Sequence, residues 1–147
     1  MAESTIHATA VLVGPRAVLI QGASGSGKSR LALALMNAAQ SKALQFARLV
    51  ADDRVHVEAH HGRLLVRPAA ALAGLLEVRG LGIRRVAYES TAVVGFVVDL
   101  GAADAERLPV ARTATVLGIT LPRLAVAVGE DALPLMLAYL RTPAITP

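Results

Sequence analysis

The octapeptide Gly22-Ala23-Ser24-Gly25-Ser26-Gly27-Lys28-Ser29 constrains this chain more than any other feature. It fits G-x-x-x-x-G-K-[ST], a strand-to-helix loop whose backbone N–H groups turn inward to cradle phosphate oxygens. Gly22, Gly25 and Gly27 permit the backbone angles such a loop demands. The helix that follows points its N-terminal N–H groups, and the positive end of its dipole, at the same anion. Lys28 can reach the β- and γ-phosphates, and the Ser29 hydroxyl can ligate Mg²⁺. The flanks agree with this reading. Ala17–Gln21 is an apolar run with the character of a buried strand, and Ser29 to about Gln40 holds strong helix formers with no Gly or Pro inside. The loop therefore implies a nucleoside triphosphate or a related polyphosphate, with Mg²⁺.

With 147 residues the chain has the length of one ordinary domain, and 1–147 is taken as a single unit. The apolar share is 54% against 3% aromatic, so the core must be built from Val, Leu, Ile and Ala. The Lys and Arg residues, 15 against 11 acids, are scattered and lack aromatics for base stacking, which argues against a nucleic-acid partner. There is no cysteine, so disulfides and thiolate chemistry are excluded. The longest apolar runs, Ala69–Leu76 and Ala92–Val98, are too short for a membrane helix, and Met1–Ala10 lacks the pattern of a signal peptide. The expectation is a soluble, cytoplasmic protein, with an apolar fraction that hints at a homo-oligomer.

Val11–Val13 and Ala17–Gln21 read as two strands about Gly14-Pro15-Arg16. Phe46–Ala51 is a further strand, Arg54–Glu58 and Leu64–Val66 a hairpin about His60–Arg63, and Ala69–Leu72 a short helix after Pro68. Arg79–Gly82 reads as a glycine-punctuated loop, Val93–Leu100 as a central strand and Leu124–Val128 as the last one. Asp131 is placed to cap a final helix that has Pro134 near its start and runs to about Arg141. Crossovers and hairpins together specify an α/β fold, a P-loop nucleotide-binding core with a mixed sheet and flanking helices.

Asp52-Asp53 ends the apolar run Leu49-Val50-Ala51. A carboxylate at the C-terminal end of a strand beside a phosphate loop is where a metal-holding Asp belongs. Adjacent side chains on an extended chain point to different sides, so one can serve the metal while the other acts as a base. Asp99, after Val97-Val98, competes for the metal role on spacing alone. The histidines His7, His56, His60 and His61 form no metal pattern; His56 is expected to be exposed, His60-His61 to lie in a turn.

Three segments in this order resemble the catalytic domain of the HPr kinase/phosphorylase family: the glycine loop, Leu49-Val50-Ala51-Asp52-Asp53-Arg54-Val55, and Leu76-Glu77-Val78-Arg79-Gly80-Leu81-Gly82-Ile83, which is similar to that family's signature sequence. The likeness is good from His7 to Ile83 and looser beyond. It resembles the short, α-proteobacterial type without a separate N-terminal domain. The resemblance implies a serine kinase acting on the phosphocarrier protein HPr with ATP or pyrophosphate and Mg²⁺, and the reverse phosphorolysis. By motif it makes Asp53 the acid/base and Asp52 a metal support, and selects this pair over Asp99, which becomes a strand-end turn residue. It gives Glu77 metal support, Arg79 the transferred phosphate, Ser24 and the loop backbone phosphate binding, and His7 the role of assisting Asp53. A homo-oligomer, hexameric in the family pattern, is implied as well. The chain departs from that pattern at Ala87-Tyr88-Glu89-Ser90 and at Val128-Gly129-Glu130-Asp131.

Two other readings share the loop. A small-metabolite or nucleotide kinase would need an Arg-rich lid, for which Arg84-Arg85 and Arg112 are available. A nucleotide-binding regulator without catalysis would have less need of the second aspartate.

Overall fold

The structure, a computed structural model, describes residues 3–107, 109 and 112–143. Strand β1 is Glu3–Ile6, β2 Thr9–Leu12 and β3 Ala17–Gln21; helix α1 is Lys28–Gln40. Then come β4 Arg48–Ala51, β5 Val55–His60 and β6 Arg63–Pro68. After a single 3-10 turn at Ala70–Leu72, the chain forms β7 Leu75–Val78, β8 Gly82–Arg85, β9 Ala92–Leu100, β10 Thr113–Val116, β11 Ile119–Val126 and helix α2 Ala132–Arg141.

Among the described residues nine strands form one mixed sheet, and β7 and β8 a separate antiparallel pair. Along the main path the order is β1-β5-β6-β9-β3-β2-β4. The nine-residue β9 is the hub. One of its edges pairs with β3 in parallel, while the other takes β6 at residues 92–93 and then β11, in parallel, at residues 97–100. β3, β9 and β11 thus open their carboxyl ends on the same side of the sheet. β2 runs antiparallel between β3 and β4.

The period of two in β3 divides its side chains between two cores. Val18 and Ile20 pack with Leu31, Leu35, Leu76, Val98 and Met136 on the helical face. Ala17 and Leu19 pack with Val50, Val57, Leu64 and Val97 on the other. In α1 the buried residues are Lys28, Leu31, Ala32, Leu35 and Ala38, an apolar stripe of helical period beyond its first residue. Both cores are made of small branched side chains, as the composition requires.

Several boundaries differ from the sequence-based expectation. β2 begins at Thr9 rather than Val11, β4 at Arg48 rather than Phe46, and β11 runs from Ile119 to Val126 rather than 124–128. β1 and β10 were not expected, and the Arg79–Gly82 loop is the turn of the β7–β8 hairpin, which extends through Arg85. β8 is exposed throughout and β10 alternates exposed with half-buried residues, so pairing with neighbours decides these strands, not local pattern. Ala87–Ser90 lies along the outer edge of β4, where the Glu89 N–H donates to the Leu49 carbonyl at 2.8 Å and Arg48 bonds Glu89 at 2.9 Å, so that edge is covered. Asp131 caps α2 as expected, accepting from the Leu133 N–H at 3.1 Å.

Candidate active site

β3 delivers the chain directly into the glycine loop, and α1 begins at Lys28. Gly27 caps that helix with φ +101°, a conformation that L side chains rarely adopt, and no side chain caps the first turn. The first-turn N–H groups of α1 therefore face the loop without a built-in acceptor. At Gly22 a Cβ would stand 2.4 Å from the Ser26 Oγ, so a side chain there would collide with the inside of the loop. Lys28 is only 6% exposed, and its Nζ donates to the Gly22 carbonyl at 2.8 Å and the Ala23 carbonyl at 3.1 Å. The ammonium is thus held across the mouth of the loop.

The acidic pair meets this loop through β2. The last registered pair of β2 and β4 is Ala10 with Ala51, so the next step sets Thr9 opposite Asp52. Asp52 is 6% exposed and accepts three hydrogen bonds. The Ser29 hydroxyl donates to its Oδ1 at 2.7 Å, the Thr9 hydroxyl to the same oxygen at 3.0 Å, and the Glu77 backbone N–H to its Oδ2 at 3.1 Å. A buried carboxylate is seldom left without such donors. The chain turns sharply at Asp53, whose φ is +70°, and the Asp53 N–H donates to the Thr9 Oγ1 at 3.3 Å. That turn sends the Asp53 side chain the other way, into the open, where His7 Nε2 donates to its Oδ1 at 2.5 Å.

A cleft of about 450 Å³ joins these parts; Ser24 through Arg30 line it together with Asp53, Glu77 and Arg79. Of the residues expected from sequence, Ser24 to Ser29, Asp53, Glu77 and Arg79 line it directly; Asp52 lies behind Ser29, His7 behind Asp53. Glu77 touches Asp52 through its main-chain N–H. Thr9 escaped the sequence reading. The signal was there, a hydroxyl inside the apolar run Ala8-Thr9-Ala10-Val11 leading to the loop strand.

The rival carboxylate is engaged elsewhere. Asp99 lies within β9, not in a turn, and Arg123 of β11 donates to it through Nε. The same guanidinium forks onto Asp104 at 2.8 and 3.0 Å. Hydrogen bonding from Arg123 holds the Asp104 carboxyl below its ordinary range, and Asp104 first, then Asp99, raises the guanidinium's own affinity for its proton. Arg112 reaches Glu106 at 2.9 Å and Asp104 at 3.6 Å, so it is a member of this cluster rather than a lid over the loop. His56 is half-buried, with its ring 2.8 Å from Arg67, not exposed as expected; His60 ends β5, and His61 with Gly62 makes the turn.

A family model for the HPr Serine kinase C-terminal domain matches residues 1–132. The chain belongs to that family. HPr kinase/phosphorylase of Streptococcus thermophilus is 47% identical over 85 residues, 56% of this chain and 25% of the relative. The Enterococcus faecalis protein of the same name is 39% identical over 97 residues, 64% of this chain and 29% of the relative. This family member thus spans about a quarter of the length of those relatives. The solved structure of the Hpr(Ser) kinase/phosphatase from Coxiella burnetii shares its fold, with a TM-score of 0.75 and 24% identity, over 94% of this chain and 88% of that one. No helix among the described residues is long and apolar enough to cross a membrane.

Proposed function

We propose that this chain is a Mg²⁺-dependent serine kinase of the cytoplasm, which transfers a phosphoryl group from ATP or pyrophosphate to a serine of an HPr-type phosphocarrier and can run the reverse phosphorolysis. The observation that carries this reading is the pairing of Asp53 with His7 at 2.5 Å, in a cleft that Lys28 and Ser29 also line. A phosphate-binding loop alone suits any nucleotide binder. An oriented carboxylate that is open to a second substrate suits transfer. The relatives' name, HPr kinase/phosphorylase, indicates the acceptor. Assembly as a homo-oligomer belongs to the same proposal.

The donor's phosphates would lie against the backbone N–H groups from Ser24 to Ser29, and Lys28 would exchange its two carbonyl partners for phosphate oxygens. Ser29 Oγ and Asp52 Oδ1 are hard oxygens 2.7 Å apart, and the described residues hold no cluster of three His, Cys, Asp or Glu that would bind a metal unaided. That donor set fits Mg²⁺, which takes one or two protein oxygens and fills its shell with phosphate and water. Ser29 and Asp52 would hold the ion, with Glu77 in support, and it would supply charge neutralisation to the phosphates. Asp53 takes the proton of the acceptor hydroxyl as the serine oxygen bonds to phosphorus and the terminal P–O bond of the donor breaks. His7 fixes the carboxylate's orientation. Arg79, which lines the same cleft, would meet the transferred phosphoryl group. In reverse, a protonated Asp53 returns the proton to the leaving serine oxygen while phosphate attacks.

The decisive experiment is incubation with purified HPr, ATP and Mg²⁺, followed by mass mapping of the modified residue, alongside a panel of sugars and nucleoside monophosphates as acceptors. Labelled phosphate should appear on one serine of HPr. Label on a small acceptor instead, or on none, would overturn the assignment.

A further inference from the structure

Glu77 and Arg79 line the cleft, yet they ride on a hairpin that forms its own two-stranded sheet. An isolated pair of strands is marginal in water, and β8 is exposed along its whole length. Something must therefore hold β7 beside the glycine loop. Two holds lie in β7 itself: Leu76 is buried in the core that contains Leu49, and the Glu77 N–H reaches Asp52. A third comes from residues 86–89, the chain that leaves β8.

This segment runs as a strap from the edge of β4 to the base of the hairpin. Tyr88 bridges Leu49 in parallel register, and the Glu89 N–H donates to the Leu49 carbonyl at 2.8 Å. Arg48 anchors the strap a second time, donating to Glu89 Oε1 at 2.9 Å, with its guanidinium carbon 5.4 Å from the centre of the Phe46 ring. At the other end the Val86 N–H donates to the carbonyl of Gly74, the residue before β7, at 2.8 Å. The Tyr88 ring occupies the space that a side chain at Gly74 would take: a Cβ there would stand 2.9 Å from Cδ1 and 3.2 Å from Cε1. Gly74 has φ +74°, so β7 starts from a turn that glycine permits and the ring covers. The strand that ends in Asp52-Asp53 thus also carries, on its edge, the strap that fixes β7.

We propose that Tyr88, anchored through Glu89, is a positioning residue for the phosphoryl transfer. It holds the base of β7 against β4, which keeps the Glu77 N–H on Asp52 and the Glu77 and Arg79 side chains in the cleft. A displacement of about 1 Å in a site of this kind can cost about 10²-fold in rate, so a contact at the foot of the hairpin bears on the chemistry above it. The proposal rests on the reading of the cleft as a phosphoryl-transfer site. It assigns a use to Ala87-Tyr88-Glu89-Ser90, where the chain departs from the family pattern.

The test compares wild type, Tyr88→Ala and Tyr88→Phe, each checked for folding by thermal melting. Transfer to HPr is followed as a function of Mg²⁺, calorimetry with inorganic triphosphate reads the loop, and NMR hydrogen exchange reads the Glu77 amide. In Tyr88→Ala kcat should fall about tenfold and half-maximal rate should need more Mg²⁺. The Glu77 amide should exchange faster, while triphosphate affinity and the amides of α1 stay as in wild type. Tyr88→Phe keeps the ring and should match wild type throughout. Glu89→Ala, which gives up only the Arg48 bond at the surface, replaces Tyr88→Ala if that variant does not fold, and should move the same readouts to a smaller degree. Unchanged kcat and Glu77 exchange in the folded variant would overturn the proposal, as would a loss of triphosphate affinity equal to the loss of rate. A wild type that transfers nothing to HPr would remove the transfer reading and the catalytic role with it, whereas wild-type transfer that Tyr88→Ala leaves intact removes the positioning role alone.

Discussion

The hydroxyl of Thr9 donates to the Asp52 carboxylate at 3.0 Å across 43 residues of sequence, and the same oxygen accepts the Asp53 N–H at 3.3 Å. One buried hydroxyl therefore ties the two aspartates to each other and to the strand that borders β3. The tie also holds the +70° turn at Asp53, a conformation costing about 1–3 kcal/mol that survives only when its surroundings enforce it. Thr9→Val keeps the shape and removes both bonds. We expect a loss of about 1–3 kcal/mol in stability and a fall of about tenfold in kcat, with the KM for ATP little changed. Thr9→Ser should restore both. Steady-state kinetics with urea unfolding would check this; a Thr9→Val enzyme with unaltered kcat would reduce Thr9 to a packing residue.

Asp53 and His7 make a second, separable prediction. Asp53→Asn retains the shape of the cleft but cannot take a proton, so transfer should drop by about 10²–10⁴ while calorimetric binding of Mg²⁺ and ATP persists. His7→Ala should act in the same direction but less severely, because it frees the carboxylate to rotate without removing it. Retained turnover in Asp53→Asn would show that another group is the base.

Much of this site could be read from spacing because its chemistry is local. Eight consecutive residues build the phosphate loop, and their glycines are demanded by backbone geometry rather than by distant contacts. Asp52 and Asp53 announce themselves by ending an apolar strand. What hid was non-local. Nothing near Thr9 says that β4 will lie beside it, since that pairing joins residues about forty positions apart. Asp99 resembled a metal ligand until Arg123, 24 residues on, proved to hold it. Likewise β10 carries alternating exposed and half-buried residues that only its pairing with β11 makes a strand.

Gly22→Ala should damage the loop from within. The added methyl would stand 2.4 Å from the Ser26 Oγ, 3.1 Å from the Ser26 Cβ and 3.2 Å from the Leu100 Cβ, so the Ser26 hydroxyl must turn aside and the two Cβ atoms must give way inside the loop. Binding of inorganic triphosphate should weaken by about tenfold or more, a loss of about 1.4 kcal/mol. Gly14→Ala serves as the control, since nothing lies within 4 Å of a Cβ there, although its φ of +109° strains any side chain. It should lower stability without touching affinity. Equal affinity losses in the two variants, measured calorimetrically, would refute the steric account.

Arg123 gives a prediction in pH. Its guanidinium, 15% exposed on the side chain, bonds Asp99 and Asp104 and so ties β11 to the end of β9 and the segment beyond it. Arg123→Met leaves the half-buried Asp99 carboxylate without that partner, which should destabilise the fold by about 1–3 kcal/mol at neutral pH. Asp104 titrates below its ordinary 3.8 in the folded chain, chiefly through its bond to Arg123. A carboxyl depressed on folding contributes stability above its unfolded pKa and loses that contribution as the pH falls through the folded value. The gap in Tm between wild type and Arg123→Met should therefore be constant above about pH 5 and should narrow below 3.8. Thermal melts from pH 7 to pH 3 would check it. A gap that stayed constant over that range would mean that Arg123 acts through its packing against β9 and not through its charge.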